Sequence, residues 1–207
     1  MALEVVVEIG KRRAFASALD WPGWARAGRD EEAALAALLD YAGRFRPVAE
    51  RAGLSLPKRL VPEVSERVPG NATTEFGAPA IAAAAESKPL SVTAAARQAA
   101  LLQAAWVALD EVVAGAPATL RKGPRGGGRD RDQIVEHVVE AERAYASKIG
   151  LRSSEHDDLR ASILGVLGAG SDGSELKPGG WTSRYAARRI IWHVLDHAWE
   201  IEDKSEH

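Results

Sequence analysis

The chain has 207 residues, 46% of them apolar and 27% charged, with a formal net charge of −2. That length can bury a substantial core in one large domain or two small ones, and the near-neutral balance argues against a nucleic-acid or membrane-surface partner. The absence of cysteine excludes disulfides, thiolate zinc sites and cysteine nucleophiles together.

The opening MALEVVVEIGKRRAFASALD lacks a basic stretch followed by a long apolar run and a small-residue cleavage site, so no signal peptide is expected. The longest weakly polar run, GAPAIAAAAE, is proline-broken and too short to span a bilayer. A soluble, cytoplasmic protein is expected. LEVVVEIG is rich in β-branched residues, and RRAFASALD alternates Phe15, Ser17 and Leu19 with smaller residues, so both predict strands. The GKR between them predicts a tight hairpin turn, with Gly10 supplying a permissive backbone. WPGWARAG continues extended, because Pro22 biases Trp21 toward β geometry. A helix is predicted from Asp30, whose side chain caps it, with Glu31 and Glu32 where the helix dipole favours them. Leu35, Leu38, Leu39 and Phe45 recur at helical spacing, and Gly53 closes this single helix. LVPEVSERV predicts a further strand, which Pro62 places at a sheet edge.

The remainder is helical. After a connector over residues 71–90, a helix runs from Ser91 to Gly115 and Pro117. The glycine-rich basic loop RKGPRGGGRDRD follows. Then come DQIVEHVVEAERAYASKIG, capped by Asp130 or Asp132, EHDDLRASILGVLGAG, and SRYAARRIIWHVLDHAWEIED. The expected fold class is α+β: a small βββαβ module over residues 1–70, then a four-helix bundle over residues 91–207.

Two histidines, His193 and His197, lie one turn apart on the last helix, sharing a stripe with Ala186, Ile190 and Ile201. On the second bundle helix, Ile134, His137 or Val138, Ala141 and Tyr145 form the corresponding inward stripe, which places His137 near the same core. Three imidazoles on two inward stripes can meet around one ion, and three protein ligands leave open positions for water or substrate. No Glu follows His193, so this is not the zinc-protease H-E-x-x-H pattern. His156, in a polar segment, and His207, at the terminus, read as solvated. Arg189, one turn before His193 on the ligand stripe, could orient an anionic substrate or reach solvent, and solvent is the expectation because long cationic side chains readily extend to water. A second carboxylate is expected to steady a ligand histidine, and Glu136, Glu140, Asp196 and Glu200 are all near enough in sequence. The basic loop lacks the Walker lysine-threonine pair, and reads as a surface connection at the mouth of the site.

DQIVEHVVEAERAY and IIWHVLDHAWEIE resemble the DinB-like (YfiT-type) four-helix bundle superfamily, over residues 91–205. The resemblance implies a metal site of one histidine from the second helix and an H-x-x-x-H pair from the last, matched here by His137, His193 and His197. It implies a divalent cofactor, zinc or nickel first, and a metal-dependent transferase, isomerase or hydrolase acting on small molecules, including thiols. FASALDWPGWARAGRDEEAALAAL resembles the HicB-like antitoxin fold, in which a D-x-P-G turn leads to a helix opened by G-x-x-x-E-A. Asp20, Pro22, Gly23, Gly28, Glu32 and Ala33 match. In that pattern Pro22 and Gly23 turn the chain and Gly28 bends it. HicB-like domains bind a protein partner, but no helix-turn-helix accompanies this one. Its expected role is to cover one end of the bundle or to mediate a homodimer.

Two functions follow. The first is a metal-dependent enzyme on a small-molecule substrate, which requires the three histidines to converge beside a pocket open to solvent. The second is a non-catalytic interaction protein, which requires a sealed bundle and an exposed apolar patch over residues 15–45, where Trp21 and Trp24 flank the turn. At least one of these tryptophans is expected to pack against the helix.

Overall fold

A computed structural model describes residues 2–123 and 128–205. Strands β1 (Ala2–Ile9), β2 (Ala14–Ala18), β3 (Ala25–Gly28) and β4 (Val61–Pro69) form one mixed sheet in the order β3-β2-β1-β4. The hairpin between β1 and β2 closes where Gly10 N donates to Arg13 O at 2.8 Å, which fixes the antiparallel register Val5 to Ala18 through Ile9 to Ala14. β4 pairs parallel to β1 at the edge, with a bulge between Val5 and Val6. Pro62 is tolerated there because an edge strand has one row of backbone groups free of ladder partners.

Alternation along β1 and β2 sends Leu3, Val5, Val7, Ala14, Ala16 and Ala18 to one face, where they join the main buried cluster with Ala34, Leu38 and Phe45. The segment after Asp30 is not one helix. It is α1 (Glu31–Asp40) and α2 (Ala42–Arg51), which meet at Tyr41. Gly43 weakens the helix here, and Pro47 lacks the N–H that the Gly43 carbonyl would otherwise accept. Asp30 caps α1 as its position predicts, accepting from Ala33 N at 2.9 Å.

The Trp21–Trp24 turn has Pro22 second and Gly23 third, with φ +93° at Gly23 and Trp24 N donating to Trp21 O at 3.0 Å. This is the pattern of a type II turn, which needs glycine at its third position. Both tryptophans are buried. Trp24 stacks on Phe45 with ring centres 5.2 Å apart, and its indole N–H donates to Leu38 O at 2.9 Å. Gly28 does not bend the chain through an unusual φ. Its role is close approach, because a Cβ there would lie 2.2 Å from Ala34 N.

The connector holds a short helix, α3 (Ala72–Phe76), capped by Asn71, and a 3-10 turn (Ala84–Ser87). Its path is fixed by two buried carboxylates. Glu8, on the second face of β1, accepts from the Thr74 hydroxyl and from Ala80 N and Ile81 N, the backbone bonds at 2.8 and 2.9 Å. Glu86 forms a bidentate pair with Arg188.

Four long helices complete the chain: α4 (Val92–Gly115), α5 (Arg131–Lys148), α6 (His156–Leu167) and α7 (Ser183–Ser205). α4 and α5 each pack on both α6 and α7. The sheet and the helices share one core, since Trp24 and Phe45 belong to the same buried cluster as Leu101, Ile134, Ile163 and Ile190. No helix among the described residues is long and apolar enough to cross a membrane.

Candidate metal centre

α7 is buried nearly all round: every residue from Tyr185 to Leu195 is buried, as are His197, Ala198, Trp199 and Ile201. A helix apolar on one stripe only would be amphipathic, whereas this one is enclosed by neighbours on every side. His193 and His197 are buried on the side of this helix that faces α5. That helix starts at the Asp130–Gln133 capping box and buries Ile134 and Val138 against the core. The same face carries His137, half-buried and opposite the α7 pair.

The three predicted imidazoles come together. One ligating atom from each of His137, His193 and His197 lies within 4.8 Å of the others. Ring centres are 5.1 Å apart for His137 and His193, 4.9 Å for His137 and His197, and 4.5 Å for His193 and His197. Nε2 of His193 faces Nε2 of His137 at 3.3 Å. Two nitrogens bound at about 2.05 Å to one tetrahedral zinc lie about 3.3 Å apart, so that separation fits a shared ion.

Charge state fits as well. Burial, together with the neighbouring His197 and His137, pushes His193 down to about 2. Burial and His197 also lower His137, and Arg129 of the basic loop adds to the effect on both. These imidazoles are neutral at neutral pH, the form that binds metal. Of the four carboxylates near in sequence, Glu200 is the one hydrogen-bonded to a member of the trio, its Oε2 lying 2.7 Å from His197 Nδ1. That bond, and a second from Lys204, hold Glu200 down at about 2. A carboxylate on Nδ1 fixes the tautomer and leaves Nε2 with its lone pair toward the cluster.

Two sequence expectations are corrected. Arg189 does not reach solvent; it is 5% exposed, with its guanidinium bonded to Pro79 O and to the Tyr145 hydroxyl at 3.4 Å. The connector folds over it, which spacing along α7 could not reveal. His156 is not simply solvated either. It opens α6 with Nε2 2.6 Å from Oε2 of Glu142, a carboxylate only 1% exposed. Glu142 also accepts from the Trp106 indole and from Arg160 Nε at 3.1 Å. This network lies apart from the trio and reads as structural. His207, and residues 124–127 of the basic loop, lie outside the described residues. The loop's described ends are tied down by Lys122 to Asp130 at 2.5 Å and by Arg131 Nη1 to Ala116 O at 2.9 Å.

Aromatic side chains complete the surroundings. Tyr145, two turns after His137, lies edge-on to His193 with ring centres 5.5 Å apart, and Trp181 lies 5.3 Å from Tyr145. Trp192 packs edge-on against Phe15 of β2 at 6.1 Å. Trp181 was not singled out from the sequence, where it sits in a polar, glycine-rich segment with no helical periodicity to place it. Fold and site together define an α+β protein with a cluster of three imidazoles that could hold a metal ion. No family model, curated protein or solved structure matches the chain.

Proposed function

We propose that the chain is a metal-dependent enzyme acting on a small molecule, with His137, His193 and His197 as the ligands of one divalent ion. The observation that carries this reading is the convergence of three ligating nitrogens, with the His193–His137 edge at 3.3 Å. Three nitrogen donors within 4.8 Å of one another, one pair at the separation of two ligands on a tetrahedral ion, suit zinc, with nickel as the next fit. Such an ion, when bound, supplies a Lewis acid that lowers the pKa of a water or thiol placed in its open position.

The chain's own residues prepare that position. Enclosure by α4, α6 and the sheet keeps His193 neutral and excludes water from behind it. Glu200 orients His197 through Nδ1. His137 and Tyr145, both half-buried, are the members of the site from whose side a substrate would approach. The reaction class we infer is transfer to or hydrolysis of a small molecule, as in the DinB-like proteins that residues 91–205 resemble. The HicB-like segment serves here as a cover for α7. The exposed large apolar side chains among the described residues are Ile9, Val61, Phe76 and Val92, none within residues 15–45, which supports the enzyme reading over a partner-binding one.

Metal analysis of the purified full chain tests this. One zinc or nickel per chain is expected, falling to near zero in His193→Ala with the fold retained by circular dichroism. A wild-type chain that takes up no divalent ion under saturating conditions, or a His193→Ala chain that keeps it, would overturn the reading.

A further inference from the structure

Among the described residues, three buried side-chain polar atoms have no hydrogen-bond partner: Nε of Arg189, Nε1 of Trp192 and Nδ1 of His193. All three belong to one turn of α7. Buried polar atoms are nearly always paired, so three orphans in one turn point to something that pairs them. The first two are obligate donors, and Nδ1 of His193 is a donor whenever its Nε2 lone pair is committed to an ion. What is missing is an acceptor.

Arg189 makes that acceptor an anion. Its guanidinium has five N–H donors and no carboxylate within ion-pair distance among the described residues; its partners are a backbone carbonyl and the long 3.4 Å bond to Tyr145. An arginine this deeply buried is ordinarily paired. Here the pairing partner is absent from the fold, and the surroundings are aromatic. Cζ of Arg189 lies 5.1 Å from the Trp192 ring centre and 5.6 Å from that of Tyr145. Arg188, its neighbour in sequence and equally buried, has Glu86. The contrast within one fold singles out Arg189 as the cation left open.

We infer that Arg189, with the Tyr145 hydroxyl and the Trp192 indole, seats the carboxylate of a small monocarboxylic acid, the substrate class of the adjoining centre. One buried cation matches one negative charge, and the planar guanidinium fork matches a carboxylate. The rings of Tyr145 and Trp181 offer an apolar wall to the body of the acid. Arg189 precedes His193 by one turn, about 5.4 Å along the axis, so the reacting atom lies close to the carboxylate in the molecule. The assignment of this acid as substrate rests on the metal-centre reading; the carboxylate seat does not, and can be measured without metal.

The experiment uses the full chain treated with chelator, with benzoate as probe and benzamide as its uncharged counterpart, followed by calorimetry and tryptophan fluorescence. Saturable benzoate binding is expected, with benzamide about tenfold weaker or more. Arg189→Gln should erase that preference while still taking up one zinc, which separates the seat from the metal ligands. Wild-type protein that binds benzoate no better than benzamide overturns the inference without any variant, as does an Arg189→Gln chain that keeps the preference. If Arg189→Gln does not fold, Arg189→Lys takes its place: it keeps the charge but not the fork, and an unchanged benzoate affinity counts against the inference. Loss of zinc uptake with the benzoate preference intact sinks the metal reading alone.

Discussion

Arg188 and Glu86 offer the sharpest test of how α7 is held. Their side chains are 3% and 4% exposed, and the pair is bidentate, Nε to Oε1 at 2.6 Å and Nη2 to Oε2 at 2.8 Å. Each has one strong backbone bond besides: Arg188 donates to Ile81 O at 2.8 Å, and Glu86 accepts from Ala83 N at 2.8 Å. Arg188→Met removes both charge-assisted bonds and strands a buried carboxylate with that single donor. The cost expected for breaking a buried pair from one side is about 3–5 kcal/mol, against about 0–1 for an exposed pair. Removing both charges, in Arg188→Met with Glu86→Leu, should recover most of that loss, because no uncompensated charge is left. Urea unfolding at pH 7 reads the difference as a shift in midpoint with unchanged slope. An Arg188→Met loss below about 1 kcal/mol, or a double variant that loses the sum of the two single losses, would refute the view that this pair is a desolvated clamp.

Glu200→Gln keeps the shape but removes the charge that steadies His197, and should weaken zinc binding about 10- to 100-fold in competition with a chelating dye. His193 links stability to pH: buried, it titrates at about 2 when folded against 6.5 for the ordinary side chain. The unfolded chain therefore binds the extra proton below 6.5, and chelator-treated protein should lose about 1.4 kcal/mol per pH unit from this group as pH falls from there. His193→Phe should flatten that slope in urea titrations at pH 6.5 and 5, and an unchanged slope would count against burial as the cause. Gly28→Ala puts a Cβ 2.2 Å from Ala34 N and 2.4 Å from Ala33 C, backbone atoms that cannot swing aside. A loss of about 3 kcal/mol or more is expected in thermal unfolding, and a silent substitution would mean α1 is free to move.

The trio was legible because its geometry is local. His193 and His197 lie one turn apart, and helical periodicity brings His137 or Val138 onto the facing stripe with Ile134, while the resemblance to DinB-like bundles points to His137. Strands and caps were legible for the same reason, as with Asp30 and the hairpin at Gly10. What escaped depends on contacts between segments distant in the chain. Arg189 lies on the ligand stripe, but its burial is made by Pro79, 110 positions away. His156 looks solvated among polar neighbours until α6 is laid against Glu142 of α5. Choosing Glu200 over Glu136, Glu140 and Asp196 required side-chain direction as well as register. Gly28 was read as a bend because sequence shows the absence of a side chain but not which backbone needs the space.

The small sheet has a consequence for the centre that a bundle alone would not give. Three neighbouring helices can cover the inward side of α7, but not the side that carries Arg188, Ile191 and Trp192. That side meets the N-terminal module: Trp192 packs on Phe15, Arg188 lies 3.5 Å from Ser17 Oγ, and a Cβ on Gly23 would collide with Ile191 at 2.1 Å. Asp196 pairs with Arg26 of β3 at 2.9 Å, and Trp199 meets Tyr41 with ring centres 5.1 Å apart. These contacts recur over three turns, so the sheet and the α1–α2 corner close the helix that carries two of the three histidines. Without that cover, water would reach the back of α7 and much of the desolvation that keeps His193 neutral would be lost. The module therefore needs no chemistry of its own to matter for the site: by making α7 a core helix, it keeps His193 neutral and holds the Arg189 guanidinium away from solvent.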